Sequence, residues 1–152
     1  MGSMAAAKLS QQQQAVVSKL AQTDQHVRAH EQAHLAASGG YAKGGPSFTY
    51  TRGPDGQLYA TAGEVNIDTT PVQGDPEATI RKAETIKAAA QAPSDPSTQD
   101  RMVAAQATQM EIQARQELNQ MQGDAVTNQE RRAHGYQTDP TSAAGALVSL
   151  IG

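Results

Sequence analysis

The amino-acid sequence predicts a small, mainly α domain of about four helices, with one β-hairpin packed on one of them. Long segments that lack Pro and Gly are rich in Ala, Gln and Lys, which favour helix. Two β-prone runs flank a Pro-Asp-Gly turn, which is typical of a hairpin. Only 38% of the chain is hydrophobic, with one Phe and no Trp, so we expect a small core.

The first helical segment covers residues 5–38 and carries its inward-facing side chains at helical spacing. These side chains are Val16, Leu20, Val27, His30 and His34. Asp24 offers an alternative, because an Asp at this place can cap a new helix and divide the segment in two. The pair Gly39-Gly40 ends the segment, since Gly readily adopts the left-handed conformation found at helix C-termini.

The hairpin is predicted at residues 47–62. Its two runs, Ser47–Arg52 and Gln57–Thr61, stand on either side of a Gly-Pro-Asp-Gly turn. An isolated hairpin is only marginally stable in water, so we expect this one to pack on the first helix.

Two further helices begin at Asp-Pro pairs, which combine a capping side chain with a proline in the first turn. The first runs from Asp75 to about Ala90, and the second from residue 96 to about Met121, where Gly123 closes it. The apolar residues that mark the packing face of the second are Val103, Ala107, Met110 and Ala114.

The length of 152 residues fits one domain with tails. Residues 1–4 look like a cloning remnant, and residues 5–122 form the domain. Residues 123–152 lose the helical periodicity and carry Gly, Pro, Asn and Ser, which predicts a largely flexible C-terminal tail.

Composition excludes several classes of function. The net charge is −3 without a basic stripe, which argues against a nucleic-acid partner. No run of about 18 apolar residues is present, so no membrane span is predicted. Localisation and oligomeric state stay open at this level. With no Cys in the chain, His and carboxylate side chains are the strong metal ligands that it offers.

The segment His30-Glu31-Gln32-Ala33-His34 has the HExxH pattern. Histidines four apart on a helix lie about 5–6 Å from each other at Cβ, so both rings can reach one zinc ion. The glutamate beside the first histidine can take a proton from a water at that ion. We therefore predict His30 and His34 as zinc ligands and Glu31 as the general base.

A zinc site of this kind needs a third protein ligand. The candidates are Glu64, Asp68, His26 and His134. Glu64 is the preferred one, because it follows a glycine and a hairpin that folds back over the helix. His26 shares the helix face, but three stacked histidines on a straight helix cannot converge on one tetrahedral ion. His134 lies beside two arginines in the predicted tail.

The Glu-x-x-x-Asp spacing of Glu64 and Asp68 is similar to that of the gluzincin peptidases. That similarity implies that Glu64 is the third ligand and that Asp68 orients the first histidine, with Asn66 in a supporting role. It requires a helix, whereas the alternation at Val65 and Ile67 favours a strand. In a strand, Glu64 and Asp68 would lie roughly 13 Å apart, too far for Asp68 to serve that histidine.

A peptidase also needs donors for the oxyanion that forms during the reaction. We predict this role for Tyr50 and Tyr59 on the hairpin, and Tyr41 and Arg52 are the other groups available. The hairpin itself is the element along which an extended substrate would align.

Further segments of the chain carry a family resemblance, namely Gly39-Gly40-Tyr41, Gly53-Pro-Asp-Gly56, Tyr59-Ala60, Gly63-Glu-Val-Asn-Ile-Asp68 and Ala92-Pro-Ser-Asp-Pro-Ser97. Together with Ala29–His34 they resemble the SprA-related family of bacterial proteins, which are described as metalloproteases. The resemblance covers about residues 24–118 and implies a zincin-like domain in which the hairpin and Glu64 belong to the same functional unit as the HExxH helix.

The function predicted from these features is that of a zinc-dependent metallopeptidase acting on a peptide or protein substrate. The alternative is a non-catalytic helical module for protein interaction, with zinc as a structural staple or absent. The Gln- and Ala-rich helices favour the module, as does the lack of a predicted β-sheet before the motif. Glu31 favours the enzyme, because a purely structural site has no need of a general base.

Overall fold

Residues 8–135 are described in the computed structural model of this protein. They form three α-helices and a two-stranded antiparallel sheet, which confirms the mainly α fold class. In chain order the elements are α1 (Gln11–Ala37), β1 (Ser47–Arg52), β2 (Leu58–Glu64), α2 (Pro76–Ala90) and α3 (Thr98–Gly135). The predicted cloning remnant at residues 1–4 lies outside the described residues. None of the described helices is long and apolar enough to cross a membrane.

The chain divides into two compact units, one up to Arg115 and the other from Gln116 onward. The elements α1, β1, β2 and α2 belong to the first unit, together with the N-terminal part of α3. The second unit contains the remainder of α3. Residues 121–135 are exposed there along their whole length.

Helix α1 is continuous, so the predicted division at Asp24 does not occur, and the described residues form three helices rather than four. Ser10 begins the helix in a capping box, in which its hydroxyl accepts from the Gln13 backbone N–H while the Gln13 side chain accepts from the Ser10 N–H. Asp24 caps nothing and instead accepts from the Ala60 backbone N–H at 2.7 Å. Its carboxylate thereby links the middle of α1 to β2.

The hairpin forms where it is predicted and packs on α1 through β2, as expected. Its register pairs Ser47 with Glu64 and Arg52 with Leu58, with one irregularity between Thr49 and Tyr50. The second strand extends to Glu64, two residues beyond the predicted end of the hairpin at residue 62. The extended backbone at Glu64 agrees with the strand interpretation of this segment and not with the helix that the gluzincin comparison requires.

The core of the first unit is small and lies between α2 and α3. Its fully or nearly buried residues are Ala83, Ile86, Ala107 and Met110, and Tyr41, Ile67 and Val103 pack against them. The predicted packing face of α3 is confirmed, because Ala107, Met110 and Ala114 are buried and Val103 is half-buried. Burial along α1 is concentrated in its C-terminal half, at Glu31 and His34, whereas Val16 is 50% exposed.

The ends of the two later helices differ in how well they were predicted. Asp75 caps α2 as expected, accepting from the Ala78 N–H at 2.8 Å. Helix α3 begins at Thr98 and continues through Gly123 to Gly135. An interior glycine costs a helix only about 1 kcal/mol, and the residues after it include good helix formers. The predicted tail therefore begins as helix, and its remaining residues, 136–152, lie outside the described part of the chain.

Candidate metal centre

Three side chains from two helices converge at the C-terminal half of α1. His30 and His34 come from α1, and Asp100 comes from the first turn of α3. The Nε2 atoms of the two rings are 3.2 Å apart. Asp100 completes the triangle, with Oδ2 3.3 Å from His30 Nε2 and Oδ1 3.2 Å from His34 Nε2. Ligands bound about 2.1 Å from one tetrahedral zinc would be separated by about 3.4 Å, so this triangle has the right size.

The ring of His34 is oriented by the end of α2. Its Nδ1 lies 2.8 Å from the carbonyl oxygen of Ala89, which can only accept a hydrogen bond. Nδ1 therefore carries the proton, and in the neutral ring Nε2 presents a lone pair to the centre. The side chain is 4% exposed, so packing as well as hydrogen bonding holds this orientation.

Asp100 is held by the helix start that it helps to form. Its Oδ2 accepts from the Ser97 backbone N–H at 2.6 Å, while the Asp100 N–H donates to the Ser97 hydroxyl at 3.1 Å. This is the reciprocal pattern of a capping box. Burial raises the pKa of the Asp100 carboxyl, but the hydrogen bonds from Ser97, the charge of His34 and the hydrogen bond with His30 outweigh it and leave the pKa below its ordinary value. The carboxylate is thus kept ionised, as a metal ligand must be.

Glu31 lies beside this triangle and is 3% exposed. Its Oε2 atom is buried without a hydrogen-bond partner among the described residues. Burial raises the pKa of the carboxyl, the nearby His30 and His34 lower it in part, and the carboxylates of Asp100 and Glu64 raise it again. A buried carboxylate oxygen without a partner is costly, which indicates that this site is built for a group the protein alone does not supply.

The backbone of β2 passes directly over Glu31 at Gly63. A Cβ atom at this position would lie 2.6 Å from Glu31 Cγ and 2.8 Å from Oε1. These distances are too short for any side chain, so the glycine is required by close approach and not by its backbone angles. The strand thereby confines Glu31 between the hairpin and α1.

A pocket of about 220 Å³ opens at the three converging side chains and Glu31. One wall is the segment from Gly63 to Ile67 at the end of β2, and another is the first turn of α3 with Gln99 and Val103. The pocket therefore brings the HExxH residues, the carboxylate of Asp100 and an extended stretch of backbone to one place.

Asp100 is the member of the converging group that the sequence analysis did not name. Glu64, the predicted third ligand, lines the same pocket, but it is exposed and does not belong to the converging group. The available signal was the segment Ser97-Thr98-Gln99-Asp100, which has the spacing of a capping box. The helix start predicted at Asp95-Pro96 lies before this segment, so that prediction does not make Ser97 the capping residue.

Asp68 and Asn66, the two residues predicted to support the ligands, make other contacts. Asp68 accepts from Lys82 Nζ at 2.7 Å and from the Thr70 N–H at 3.0 Å, so its carboxylate is directed to α2 and not to a histidine. Asn66 lines the pocket, and its backbone carbonyl accepts from the Lys43 N–H. The orienting role predicted for Asp68 is not what the geometry provides, because the segment after β2 is extended rather than helical.

The groups predicted to stabilise an oxyanion lie away from the pocket. Tyr59 donates to Asp55 Oδ2 at 2.6 Å within the hairpin turn, and Tyr50 is 47% exposed. Arg52 donates to the Gly56 carbonyl in the same turn, and Tyr41 packs against the core. The reason is the direction of the hairpin: its turn points away from the site, and the strand end near Gly63 reaches it.

A second group of side chains adjoins the centre on the other side of His30. The Nδ1 atom of this ring is buried and has no hydrogen-bond partner among residues 8–135. Asp95 Oδ1 lies 3.6 Å from it, while Asp95 Oδ2 lies 3.0 Å from His26 Nε2. His134, another candidate ligand from the sequence, is exposed near the end of α3 in the second unit.

Comparison with known proteins identifies a family. The model of the SprA-related family matches residues 2–138, which extends the resemblance seen at residues 24–118 in both directions. Neither the curated proteins nor the solved structures include a match to the chain. The family match covers the whole of the candidate centre.

Proposed function

The chain belongs to the SprA-related family, and from this premise we propose that it is a zinc-dependent metallopeptidase with Glu31 as its general base. The observation that carries the proposal is the buried carboxylate oxygen of Glu31, which has no hydrogen-bond partner in the described part of the chain and lies beside three converging side chains that can bind a metal. A site that served only to hold the fold together would have no use for this carboxylate.

The donor set fits zinc. Two imidazole nitrogens and one carboxylate oxygen are a ligand set that catalytic zinc sites use, and the pocket leaves access to the side that such sites keep open. The tautomer of His34 supports this fit, because its Nε2 lone pair is directed to the centre. His30, His34 and Asp100 are therefore the residues that we expect to hold the ion.

Zinc bound there would supply Lewis acidity, which lowers the pKa of a water molecule and polarises the carbonyl that it attacks. Glu31 would take the proton of the attacking water at Oε2, the atom without a hydrogen-bond partner among residues 8–135. The same carboxyl would then give the proton to the amine nitrogen as the C–N bond breaks, while the oxygen of the water stays in the new carboxyl group of the product. Gly63 lets the strand come close to Glu31, since a Cβ at this position would lie 2.6 Å from Glu31 Cγ.

The substrate is a peptide or protein chain. The segment from Gly63 to Ile67 forms one wall of the pocket and continues β2 in an extended conformation. An extended peptide can lie along such a segment with its carbonyl groups directed toward the centre. We therefore expect substrate to align with the end of β2 near Glu31, and not with the turn of the hairpin.

The decisive experiment compares wild type with Glu31→Gln. We expect purified protein to carry one zinc per chain, measured by elemental analysis, and to cleave members of a peptide library. Glu31→Gln should keep the zinc and lose cleavage by about 100-fold or more, since general base catalysis contributes about 10²–10⁴-fold. If both proteins bind zinc and neither cleaves any peptide, the non-catalytic interaction module is the correct function.

The ligand set is tested by a matched pair of carboxylate variants. Asp100→Ala should lower the zinc affinity strongly, because it removes one of three ligands. Glu64→Ala removes an exposed carboxylate from the same pocket and should change the affinity little. The reverse order of affinities would restore Glu64 as the third ligand and contradict the role of Asp100.

A further inference from the structure

The unpartnered Nδ1 of His30 raises a chemical question at the proposed metal centre. When His30 binds an ion through Nε2, its neutral ring carries the proton on Nδ1. That N–H is buried and needs an acceptor, yet none lies within hydrogen-bond distance among the described residues. His34 has no such problem, because the Ala89 carbonyl accepts from its Nδ1. A nearby group that shifts slightly could supply the acceptor that His30 lacks among the described residues.

Asp95 is the group in position to do so. Its Oδ1 is 3.6 Å from His30 Nδ1, only a few tenths of an ångström beyond hydrogen-bond range. The side chain is 58% exposed, so little packing opposes a small shift. His26 Nε2, at 3.0 Å, holds the other carboxylate oxygen. His26 thus keeps Asp95 on the His30 side of the loop.

We propose that Asp95 is the positioning residue of His30, accepting a hydrogen bond from Nδ1–H when the ring binds a divalent metal ion, with His26 anchoring the carboxylate. The inference rests on the metal-binding part of the proposed function. A carboxylate behind a ligating histidine fixes its tautomer, orients its ring and makes it a stronger ligand. In this way Asp95 acts through His30 and does not touch the ion.

The segment that carries Asp95 is suited to this task. It lies in Ala92-Pro-Ser-Asp-Pro-Ser97, between α2 and α3. One proline stands two residues before Asp95 and another directly after it, so the backbone is restricted on both sides. The same connection joins Ala89, which orients His34, to Asp100, the third proposed ligand. One short stretch of chain, residues 89–100, would then supply a ligand and the supports of both histidines.

The test measures zinc affinity by competition with a chromophoric chelator. Asp95→Ala should bind zinc about 10–100-fold more weakly than wild type, the loss typical of removing such a support. Asp95→Asn keeps a neutral carbonyl acceptor and should lose less. The melting temperature of the zinc-free protein should be the same in all three, because the exposed Asp95 contributes little to the stability of the protein without zinc.

A spectroscopic measurement separates positioning from a general loss of stability. The visible spectrum of the cobalt(II)-substituted protein reports ligand geometry, and it should shift in Asp95→Ala and less in His26→Gln. Glu77→Gln is the control, since it removes an exposed carboxylate that pairs with Arg81 on α2, away from the centre. Its zinc affinity and cobalt spectrum should equal those of wild type.

The outcomes are distinguishable. If wild type binds no zinc, the proposed function fails with the inference. If wild type binds zinc, and Asp95→Ala and Asp95→Asn both bind it as tightly as wild type does, only the role of Asp95 is refuted. Because His26, His30 and Asp95 also lie close enough to hold an ion themselves, a second zinc that is lost in His26→Gln would likewise overturn the positioning role.

Discussion

Gly63 and Glu31 show how one position without a side chain shapes the candidate centre. The backbone of β2 touches the Glu31 side chain at Gly63, and the hairpin itself is attached to α1 by the bond from Ala60 N–H to Asp24. Two elements thus position the carboxylate: α1, which carries it, and β2, which packs against it. This contact explains why Glu31 is buried although it is charged.

We predict that Gly63→Ala displaces Glu31, because the new methyl group would lie 2.6 Å from its Cγ. A misplacement of about 1 Å can cost about 100-fold in rate, so peptide cleavage should fall by that order while zinc content is kept. Gly45→Ala is the control, since a Cβ there meets nothing within 4 Å and no left-handed backbone is involved. Equal activity of the two variants would contradict the close packing of Gly63 on Glu31.

The ion pair of Asp68 and Lys82 is the second feature at the scale of single residues. Lys82 is 5% exposed, and its ammonium group donates to Asp68 and to the Thr70 carbonyl, at 2.8 Å for the latter. The same ammonium lies 5.1 Å from the centre of the Tyr41 ring. The hydrogen bond from Lys82 holds the pKa of the Asp68 carboxyl well below its ordinary value, with the N–H and hydroxyl of Thr70 adding to the effect.

We predict that Asp68→Asn lowers the melting temperature at pH 7, because a buried ammonium loses its counter-charge. The pKa of Asp68 is lowered by folding, so its stabilisation is complete above the ordinary pKa of 3.8 and is lost as the pH falls toward the folded value. Urea unfolding at pH 7 and at pH 3 should therefore show a smaller difference between wild type and Asp68→Asn at the lower pH.

The control for this prediction removes the ammonium as well. In the double variant Asp68→Asn with Lys82→Met, no unpaired charge is buried, so stability should recover in part. A double variant less stable than Asp68→Asn alone would show that Lys82 stabilises the fold through its other contacts and not through the pair.

At the scale of elements, the two capping boxes make a natural comparison. Ser10 begins α1 far from the centre, and Ser97 begins α3 beside it. Both hydroxyls accept from a backbone N–H three residues later. Only the second box includes a proposed ligand, because its third residue is Asp100. Helix capping and metal binding are therefore coupled at α3 and separate at α1.

We predict that Ser97→Ala and Ser10→Ala each reduce the free energy of unfolding by about 1 kcal/mol, the typical cost of a lost cap. Only Ser97→Ala should also weaken zinc binding, since it loosens the turn that positions Asp100. Chemical denaturation gives the stabilities, and chelator competition gives the affinities. Equal zinc affinity in the two variants would show that the Ser97 hydroxyl is not needed to place the ligand.

At the scale of the whole molecule, the core is limited, so we expect the proposed metal centre to contribute to stability. The buried apolar residues are mostly alanines, and Ile86 is the largest fully buried side chain in the described part of the chain. Alanine offers little apolar area, and the stabilisation scales with that area. The proposed ligands tie α1 to the first turn of α3, and this connection adds to what the core provides.

We predict that removing zinc with a chelator lowers the melting temperature and that added zinc restores it. Binding to the folded state alone contributes roughly 2.7 kcal/mol when free zinc is 100 times the dissociation constant. Asp100→Ala should melt at one temperature with or without the chelator, because it lacks a ligand. A melting temperature of wild type that is insensitive to the chelator would mean that the ion does not link the helices.

The sequence by itself was sufficient for features that depend on neighbours along the chain. The hairpin follows from its turn residues, the start of α2 from Asp75 and Pro76, and the convergence of His30 and His34 from their spacing on one helix. The mainly α class and the small core follow from composition in the same way. These are local properties, and local chemistry determines them.

The tertiary structure alone decided which carboxylate joins the two histidines. Asp100 lies 70 residues after His30, and Glu64 lies 34 residues after it, so neither is a neighbour in the chain. The strand that carries Glu64 directs Gly63 over Glu31, while the packing of α3 brings its first turn onto the rings. The same packing brings Asp68 into contact with Lys82 and places Asp95 close to Nδ1 of His30. These contacts depend on how elements that are distant in the chain pack together. The spacing of residues within one element carries no information about that packing.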